Sequence, residues 1–339
     1  MKAVVLAAGK STRTYPLTLT RPKPVLPLLG KPLLAHTLEA LAAVADEAIL
    51  VVGYRAEMVR EAFGPEYAGL TLVYVKQAEP RGTADAVAAA RGAVAGEFLV
   101  ANGDDYYGGA NVAAVAAAPG AAVLGAPTRS ADRFGVLKID SGLLRGISEK
   151  AGGGGAALVN TGLYKCDESI FQHIERVEPS PRGELEFTAA LEDYAAARAV
   201  KVVRAAGPWF PIATAHDLLA AQLKLWPVKE ARFLGGGGCR INADAAVGGR
   251  SALGARCEVG ANAVVEASLL LDDVTVGEGA AVAGSILGDG VVIGAEAVVD
   301  GAVVGDGAHI GMAARLEPGT RVWPEVEVPP GAAVAGDIQ

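Results

Sequence analysis

The sequence predicts an α/β fold in two parts: a doubly wound sheet over residues 1–230, then a solenoid of short strands over residues 231–339. Two observations predict the first part. Short apolar runs such as Ala3-Val4-Val5-Leu6-Ala7 read as strands buried on both faces, and they alternate with segments of helical spacing. A third observation predicts the second part. Aliphatic residues recur every six positions at Val247, Leu253, Val259 and Val265, and again at Val304, Ile310, Leu316, Val322, Val328 and Val334. A period of 17 is superposed, as Val276, Ile293 and Ile310 and also Asp272, Asp289 and Asp306 show.

Taken in order, Lys31 to Val44 carries Leu34, Leu38 and Leu41 at helical spacing, with Pro32 near its start. Glu47 to Gly53 and Leu70 to Val75 read as buried strands, separated by a short helix from Ala56 to Phe63. Gly82-Thr83-Ala84-Asp85 opens a helix whose first N–H groups are suited to face a base or a phosphate. Glu97 to Ala101 is a further strand, ending at Asn102-Gly103-Asp104-Asp105; acidic groups past the carboxyl end of a parallel strand lie where such sheets bind ligands. Ala121 to Pro127 reads as another strand, and residues 134–140 and 143–150 as a hairpin turning at Asp140-Ser141-Gly142. The glycine-rich stretch from Ala151 to Ala157 reads as a flexible crossing beside the pocket.

The candidate site starts where the first strand ends. Ala8-Gly9 leads into a polar turn carrying Lys10, Ser11, Thr12 and Arg13. Small residues let backbone N–H groups approach a ligand, and successive N–H groups make an anion-binding concavity. Arg13 adds a fixed cationic fork matched to phosphate oxygens. Lys23, in Arg21-Pro22-Lys23-Pro24, adds a second charge on a segment that its prolines hold extended. Nucleotide phosphates are the natural guest. Two better-known phosphate loops are excluded: the first glycine of G-x-x-x-x-G-K-[ST] falls at Val4, and Ser11 stands where G-x-G-x-x-G needs its second glycine.

The stretch from Ala3 to Leu34 resembles instead the signature of the sugar-1-phosphate nucleotidylyltransferases, L-A-A-G-x-G-T-R-x-x-P-L-T followed by P-K-x-L-x-P-x-x-x-K-P. Ser11 departs from it, replacing a glycine. The resemblance implies a Rossmann-like, doubly wound mixed-sheet nucleotidyltransferase domain, with an NTP and a sugar 1-phosphate as substrates. It implies Ala7, Ala8, Gly9, Ser11 and Thr12 around the nucleotide and Arg13 and Lys23 as catalytic cations. In the family pattern Q-x-x-x-x-G-T-A-x-A, which contacts a uracil or thymine ring, Gln77, Gly82 and Thr83 fill the places. Gln77 carries the donor and acceptors that a pyrimidine edge needs; an ordinary turn with a Thr N-cap is the plain alternative. By resemblance to the family's G-D motif, Asp104 is the ligand of Mg²⁺ and Asp105 its neighbour. Gly135, Glu149, Lys150 and Asn160 match a second pattern around the sugar phosphate. There Glu149 and Asn160 are suited to sugar hydroxyls, and Lys150 to the phosphate charge.

The match is weakest at a later stretch. Family members read W-x-D-[IV]-G-x-P-x-D-L-L where this chain has Trp209-Phe210-Pro211-Ile212-Ala213, and the first Asp of that motif completes the metal site. Pro211 has no side-chain ligand to offer. Asp217 is a doubtful substitute, because it also sits where a helix-starting Asp would cap. The leading expectation is transfer from UTP or dTTP to glucose 1-phosphate. The alternatives are mannose 1-phosphate with GTP, or an impaired regulatory subunit that binds a nucleotide sugar.

The C-terminal repeat resembles the hexapeptide left-handed parallel β-helix, in which aliphatic residues fill a triangular core. Some relatives fuse an acetyltransferase of this shape to the same catalytic domain. Here His309 stands without the N-H-x-x-Y-x-G-D-S-like stretch of those proteins, so the coils are expected to serve homo-oligomer contacts instead. His36, His173 and His216 are isolated from cysteine, which gives no zinc pattern.

Composition sets the outer bounds. Of 339 residues 51% are hydrophobic but only 5% aromatic, so the core must come from small and β-branched side chains. A net charge of −8 offers no basic field for nucleic acid. No apolar span reaches membrane length, and no cleavable leader precedes the first strand, so no membrane partner is expected. Three scattered cysteines, Cys166, Cys239 and Cys257, read as reduced thiols of a cytoplasmic protein.

Overall fold

The computed structural model describes residues 1–149, 157–227 and 231–339. The chain folds as two compact units. The first comprises Met1–Gly9 and Leu33–Pro211, and the second comprises Lys10–Pro32 and Ile212–Gln339. The segment between the first strand and the first helix therefore folds with the C-terminal part of the chain.

The first unit is built on a ten-stranded mixed sheet. Its strands are β1 (Lys2–Ala7), β2 (Glu47–Val52), β3 (Glu66–Tyr67), β4 (Leu70–Lys76) and β5 (Glu97–Asn102). A short strand, β6 (Asp105–Tyr107), leaves the sheet, which resumes with β7 (Ala122–Thr128), β8 (Gly135–Asp140) and β9 (Leu143–Glu149). Then come β10 (Ala157–Asp167), β11 (Lys201–Arg204) and, outside the sheet, β12 (Trp209–Pro211). The spatial order is β8-β9-β11-β7-β10-β5-β1-β2-β4-β3. Strands β5, β1, β2 and β4 run parallel, and β10 lies antiparallel to β5 and to β7.

Around the sheet pack α1 (Leu33–Ala42), α2 (Ala56–Phe63), α3 (Thr83–Ala89), α4 (Gly109–Ala117), α5 (Ile170–Ile174) and α6 (Phe187–Ala197). The core follows the composition. Val4, Ile49, Val87 and Val100 join a few rings, Phe98, Tyr164, Phe187 and Tyr194. Burying such aliphatic side chains contributes roughly 1.5–3 kcal/mol each. The hairpin between β8 and β9 turns where expected, with Ser141 at φ 51 and Gly142 at φ 77, the left-handed pair that suits a two-residue turn.

The second unit contains a small hairpin of Pro27–Leu28 with Lys31–Pro32, then α7 (Ala215–Leu225) and a β-helix. Three parallel sheets of seven, six and six strands make the β-helix, consistent with the left-handed type. Ala252 stacks on Leu269, Leu269 on Ile286 and Ile286 on Val303, a coil of seventeen residues. Outer coils differ, with eighteen from Phe233 to Ser251 and from Val303 to Arg321 and sixteen from Arg321 to Asp337. The repeat aliphatics named from the sequence point inward: Val259, Val265, Val276, Ile293, Ile310 and Leu316 share one core. Ser251, Ser268 and Ser285 are buried among them, and each hydroxyl accepts a backbone N–H from the next coil. Gln222 of α7 donates to the carbonyls of Arg250 and Ser268 at 3.2 and 3.3 Å. Among the described residues no helix is long and apolar enough to cross a membrane.

Candidate functional site

In the first unit, four parallel strands end together. Three loop hydrogen bonds stitch those ends: Gln77 N–H to Val52 O at 2.9 Å, Tyr54 N–H to Ala8 O at 3.1 Å, and Gly103 N–H to Leu6 O at 2.8 Å. Ala7, Ala8 and Gly9 thus sit at the centre of a row of carboxyl-terminal turns, with Asp104 on the adjacent one. The crowding is severe at Gly103, where a Cβ would stand 2.9 Å from Leu6 O and 3.0 Å from a Val5 methyl. Asp104 follows directly and is partly exposed, whereas Asp105 is buried. The Asp105 carbonyl accepts the Thr37 hydroxyl at 3.0 Å.

Gln77 is 7% exposed, and its Nε2 donates to Gly82 O at 3.1 Å and Asp85 Oδ2 at 2.8 Å. Its amide therefore braces the turn that follows it. Gly82 takes φ 124, and a Cβ there would collide with the Leu185 backbone. That closeness has a use. Ala84 N–H donates to Leu185 O at 2.8 Å, Leu185 N–H to Arg81 O at 2.7 Å, and Phe187 N–H to the Thr83 hydroxyl at 2.8 Å. The N-cap of α3 is Gly82, without a side-chain cap. So Thr83 bolts the start of α6 to this turn rather than capping its own helix, and the Ala84 N–H expected to face a ligand is used internally.

Two of the residues expected around the sugar phosphate, Gly135 and Asn160, lie close together in the other half of the sheet. Gly135 is in register with Glu149, and a Cβ on Gly135 would lie 4.0 Å from Asn160 Cβ. Asn160 stands at a register shift in β10; its Nδ2 donates to the Tyr164 hydroxyl at 2.7 Å and its Oδ1 accepts Gly162 N–H at 3.2 Å. The Tyr107 hydroxyl donates to Thr161 O at 2.8 Å, which ties the strand after Asp104 to the same shift. Burial raises the pKa of both Tyr164 and Tyr107, so both hydroxyls stay protonated. The Glu149 side chain, Lys150 and residues 151–156 lie outside the described residues.

Pro211 is held opposite Asp105 in the antiparallel pair of β12 with β6. Fully buried Asn111 fixes the approach to that strand. Its Oδ1 accepts from Ala206 N–H and Gly207 N–H, and its Nδ2 donates to the carbonyls of Gly207 and Pro208. Trp209 meets Phe134 edge-on at 5.3 Å, and its Nε1–H is buried without a partner among the described residues. Sequence pattern singles out neither Asn111 nor Tyr107, and for Asn111 the available signal is a polar residue inside an apolar helix.

In the second unit, Ser11 adopts the left-handed conformation, φ 51 and ψ 51. Its carbonyl accepts Thr14 N–H at 3.0 Å and the Thr18 hydroxyl at 2.8 Å. Thr12 and Arg13 are exposed on the turn that follows, and Lys23 is 4% exposed on the 3₁₀ turn Lys23–Val25. Asp217 completes a capping box at α7, where its Oδ2 accepts from Ala213 N–H, Thr214 N–H and the Thr214 hydroxyl. Helix capping, the competing role, is the one its carboxylate performs. His309 is exposed on the strand His309–Ile310. Among the described residues no three His, Cys, Asp or Glu side chains cluster around a metal position.

A Rossmann-like sheet with glycine-flanked turns at its carboxyl ends, and a signature turn rich in cations, define a nucleotide-handling α/β protein. The chain belongs to the nucleotidyl transferase family: the family model described as "Nucleotidyl transferase" matches residues 2–226. A second, described as "GMPPB C-terminal domain", matches residues 233–329. "Bifunctional protein GlmU" of Methanocaldococcus jannaschii is 33% identical over 222 residues, 65% of this chain and 53% of that protein. "UTP--glucose-1-phosphate uridylyltransferase AglF" of Haloferax volcanii is 34% identical over 201 residues, 57% of this chain and 82% of that protein. "Bifunctional sugar-1-phosphate nucleotidylyltransferase/acetyltransferase" of Sulfurisphaera tokodaii is 30% identical over 223 residues, 65% of this chain and 54% of that protein. The chain spans about half the length of the first and third of these relatives.

Proposed function

We propose that the chain is a sugar-1-phosphate nucleotidylyltransferase, using UTP or dTTP and glucose 1-phosphate and releasing pyrophosphate. The observation that carries this is the signature from Ala3 to Leu34 lying inside the matched family region. The activity that the Haloferax volcanii relative is named for supports the uridine nucleotide and the glucose phosphate.

In this reaction a sugar-phosphate oxygen attacks the α-phosphorus of the NTP. The bond from the α-phosphorus to the bridging oxygen of the β-phosphate breaks, and no bond to the protein forms. Catalysis then reduces to positioning and to neutralising charge on phosphate oxygens. Arg13 and Lys23 supply fixed positive charge, and Gly135 and Asn160 line the sugar side. Asp104, a partly exposed carboxylate at a strand end, fits a Mg²⁺ that keeps water and phosphate oxygens as its other ligands. Bound there, the cation supplies further charge neutralisation on the triphosphate.

The test is pyrophosphate release with each of four NTPs against glucose 1-phosphate, mannose 1-phosphate and amino-sugar phosphates. UTP or dTTP with glucose 1-phosphate is expected to be fastest, and Asp104→Asn to lower its Mg²⁺-dependent rate by about 100-fold or more. Inactivity with every pair overturns the proposal. Pro211 favours one other reading, a nucleotide-sugar-binding subunit without turnover; calorimetric binding alongside zero release supports that one instead.

A further inference from the structure

The aspartates of the 17-residue period form a ladder along the coils of the second unit. Ala255 N–H donates to Asp272 Oδ1, Asp272 N–H to Asp289 Oδ1 and Asp289 N–H to Asp306 Oδ1, each at 2.9 Å. Every rung fixes one carboxylate oxygen on the backbone of the preceding coil, which orients the other. The oriented Oδ2 atoms meet cations. Asp272 faces Arg256 at 3.5 Å, while Asp289 and Asp306 both take Nη2 of Arg21, the former at 2.8 Å. Arg21 is 12% exposed at its side chain and Asp306 18%, so that pair is largely withdrawn from water, whereas Asp289, at 41%, reaches Arg21 from the solvent side.

Arg21 stands two residues before Lys23 in the signature. Between them Pro22 is extended, at φ −76 and ψ 147. Beyond them Val25 N–H donates to Pro22 O at 3.1 Å and Leu26 N–H to Lys23 O at 3.0 Å. Two ring-locked φ angles and two turn hydrogen bonds leave the segment from Arg21 to Leu26 few ways to move once Arg21 is held.

We propose that Asp289 and Asp306 are positioning residues for nucleotidyl transfer: by holding Arg21 they set the place of Lys23, which makes the β-helix part of the frame of the reaction. The catalytic half of this rests on the activity proposed above, and the clamp itself does not. Neither aspartate touches substrate, and each acts through Arg21.

The test uses the full chain carrying Asp289→Asn and Asp306→Asn together, which keeps the ladder acceptors and removes both charges. Hydrogen exchange at the Val25 and Leu26 amides is expected to speed up by about tenfold or more, while Asp272→Asn leaves it unchanged. The double variant is expected to lose about tenfold in kcat with KM for the sugar phosphate within about twofold. In a Lys23→Ala background the same pair of substitutions is expected to change kcat by less than about twofold. Unaltered exchange overturns the clamp, and an undiminished loss in the Lys23→Ala background overturns the link to Lys23. If the wild-type chain turns over no NTP and sugar phosphate, the catalytic half falls with the activity, and exchange alone decides the clamp.

Discussion

Ser11 stands where the family's signature has a glycine, and its backbone explains what that glycine is for. A serine at φ 51 and ψ 51 carries a Cβ in the left-handed region, at a cost of roughly 1–2 kcal/mol that glycine avoids. The turn tolerates it because the Ser11 carbonyl is held twice, by Thr14 N–H and by the Thr18 hydroxyl. Ser11→Gly is therefore expected to raise stability by about 0.5–1 kcal/mol, the greater freedom of glycine in the unfolded chain offsetting part of the strain relieved. Ser11→Val, β-branched at the same φ, is expected to lower it by at least as much. Urea unfolding of the three proteins measures both effects, and a destabilised glycine variant would show that the hydroxyl, not the backbone, matters there.

At the scale of elements, the pairing of β6 with β12 puts Pro211 opposite Asp105. An aspartate at 211 would set two carboxylates across a strand pair, a like-charge contact that costs up to about 1 kcal/mol unless a cation lies between them. Pro211→Asp is expected to melt lower than wild type without divalent ions and to gain more from added Mg²⁺, with turnover within about threefold. Melting curves with and without Mg²⁺, read beside pyrophosphate release, measure this; a tenfold gain in turnover would mark the natural chain as impaired. That pair also shows where sequence reading stops. Buried strands such as β1, β2 and β5 are legible as apolar runs, and the hairpin of β8 with β9 is legible from Ser141-Gly142. The short strands β6 and β12 are three residues each and pair over about a hundred positions, so no local pattern marks them. The site is legible in the same uneven way. Gly82 and Asn160 stand out as motif letters, but the Gln77 bond to Asp85 and the Tyr107 bond to Thr161 belong to tertiary packing alone.

For the whole molecule, the decisive regularity is the seventeen-residue coil, since it governs the aliphatic core, the buried serines and the aspartate ladder together. A solenoid of this kind is stabilised by contacts between neighbouring coils, so a complete coil is removable while a fractional one is not. Deleting residues 255–271 joins Gly254 to Asp272 and brings Ser251 onto Ser285, with Val276 and Val282 replacing Val259 and Val265 in the core. Each of those replacements occupies the equivalent position, because Val259 pairs with Val276 and Val265 with Val282 in the native stack. Deleting residues 255–272 instead slips the chain by one position. The residues that follow are then one position off against the coil before the junction, and the turn there must take up the step, as the turns of the native eighteen-residue coils do. The first deletion is expected to unfold cooperatively with a midpoint lowered by several degrees, and the second to unfold at a midpoint lower still. Equal behaviour of the two variants would show that the coils are held by their sequence-local turns, and not by the vertical register on which the ladder, the serine column and the Arg21 clamp all depend.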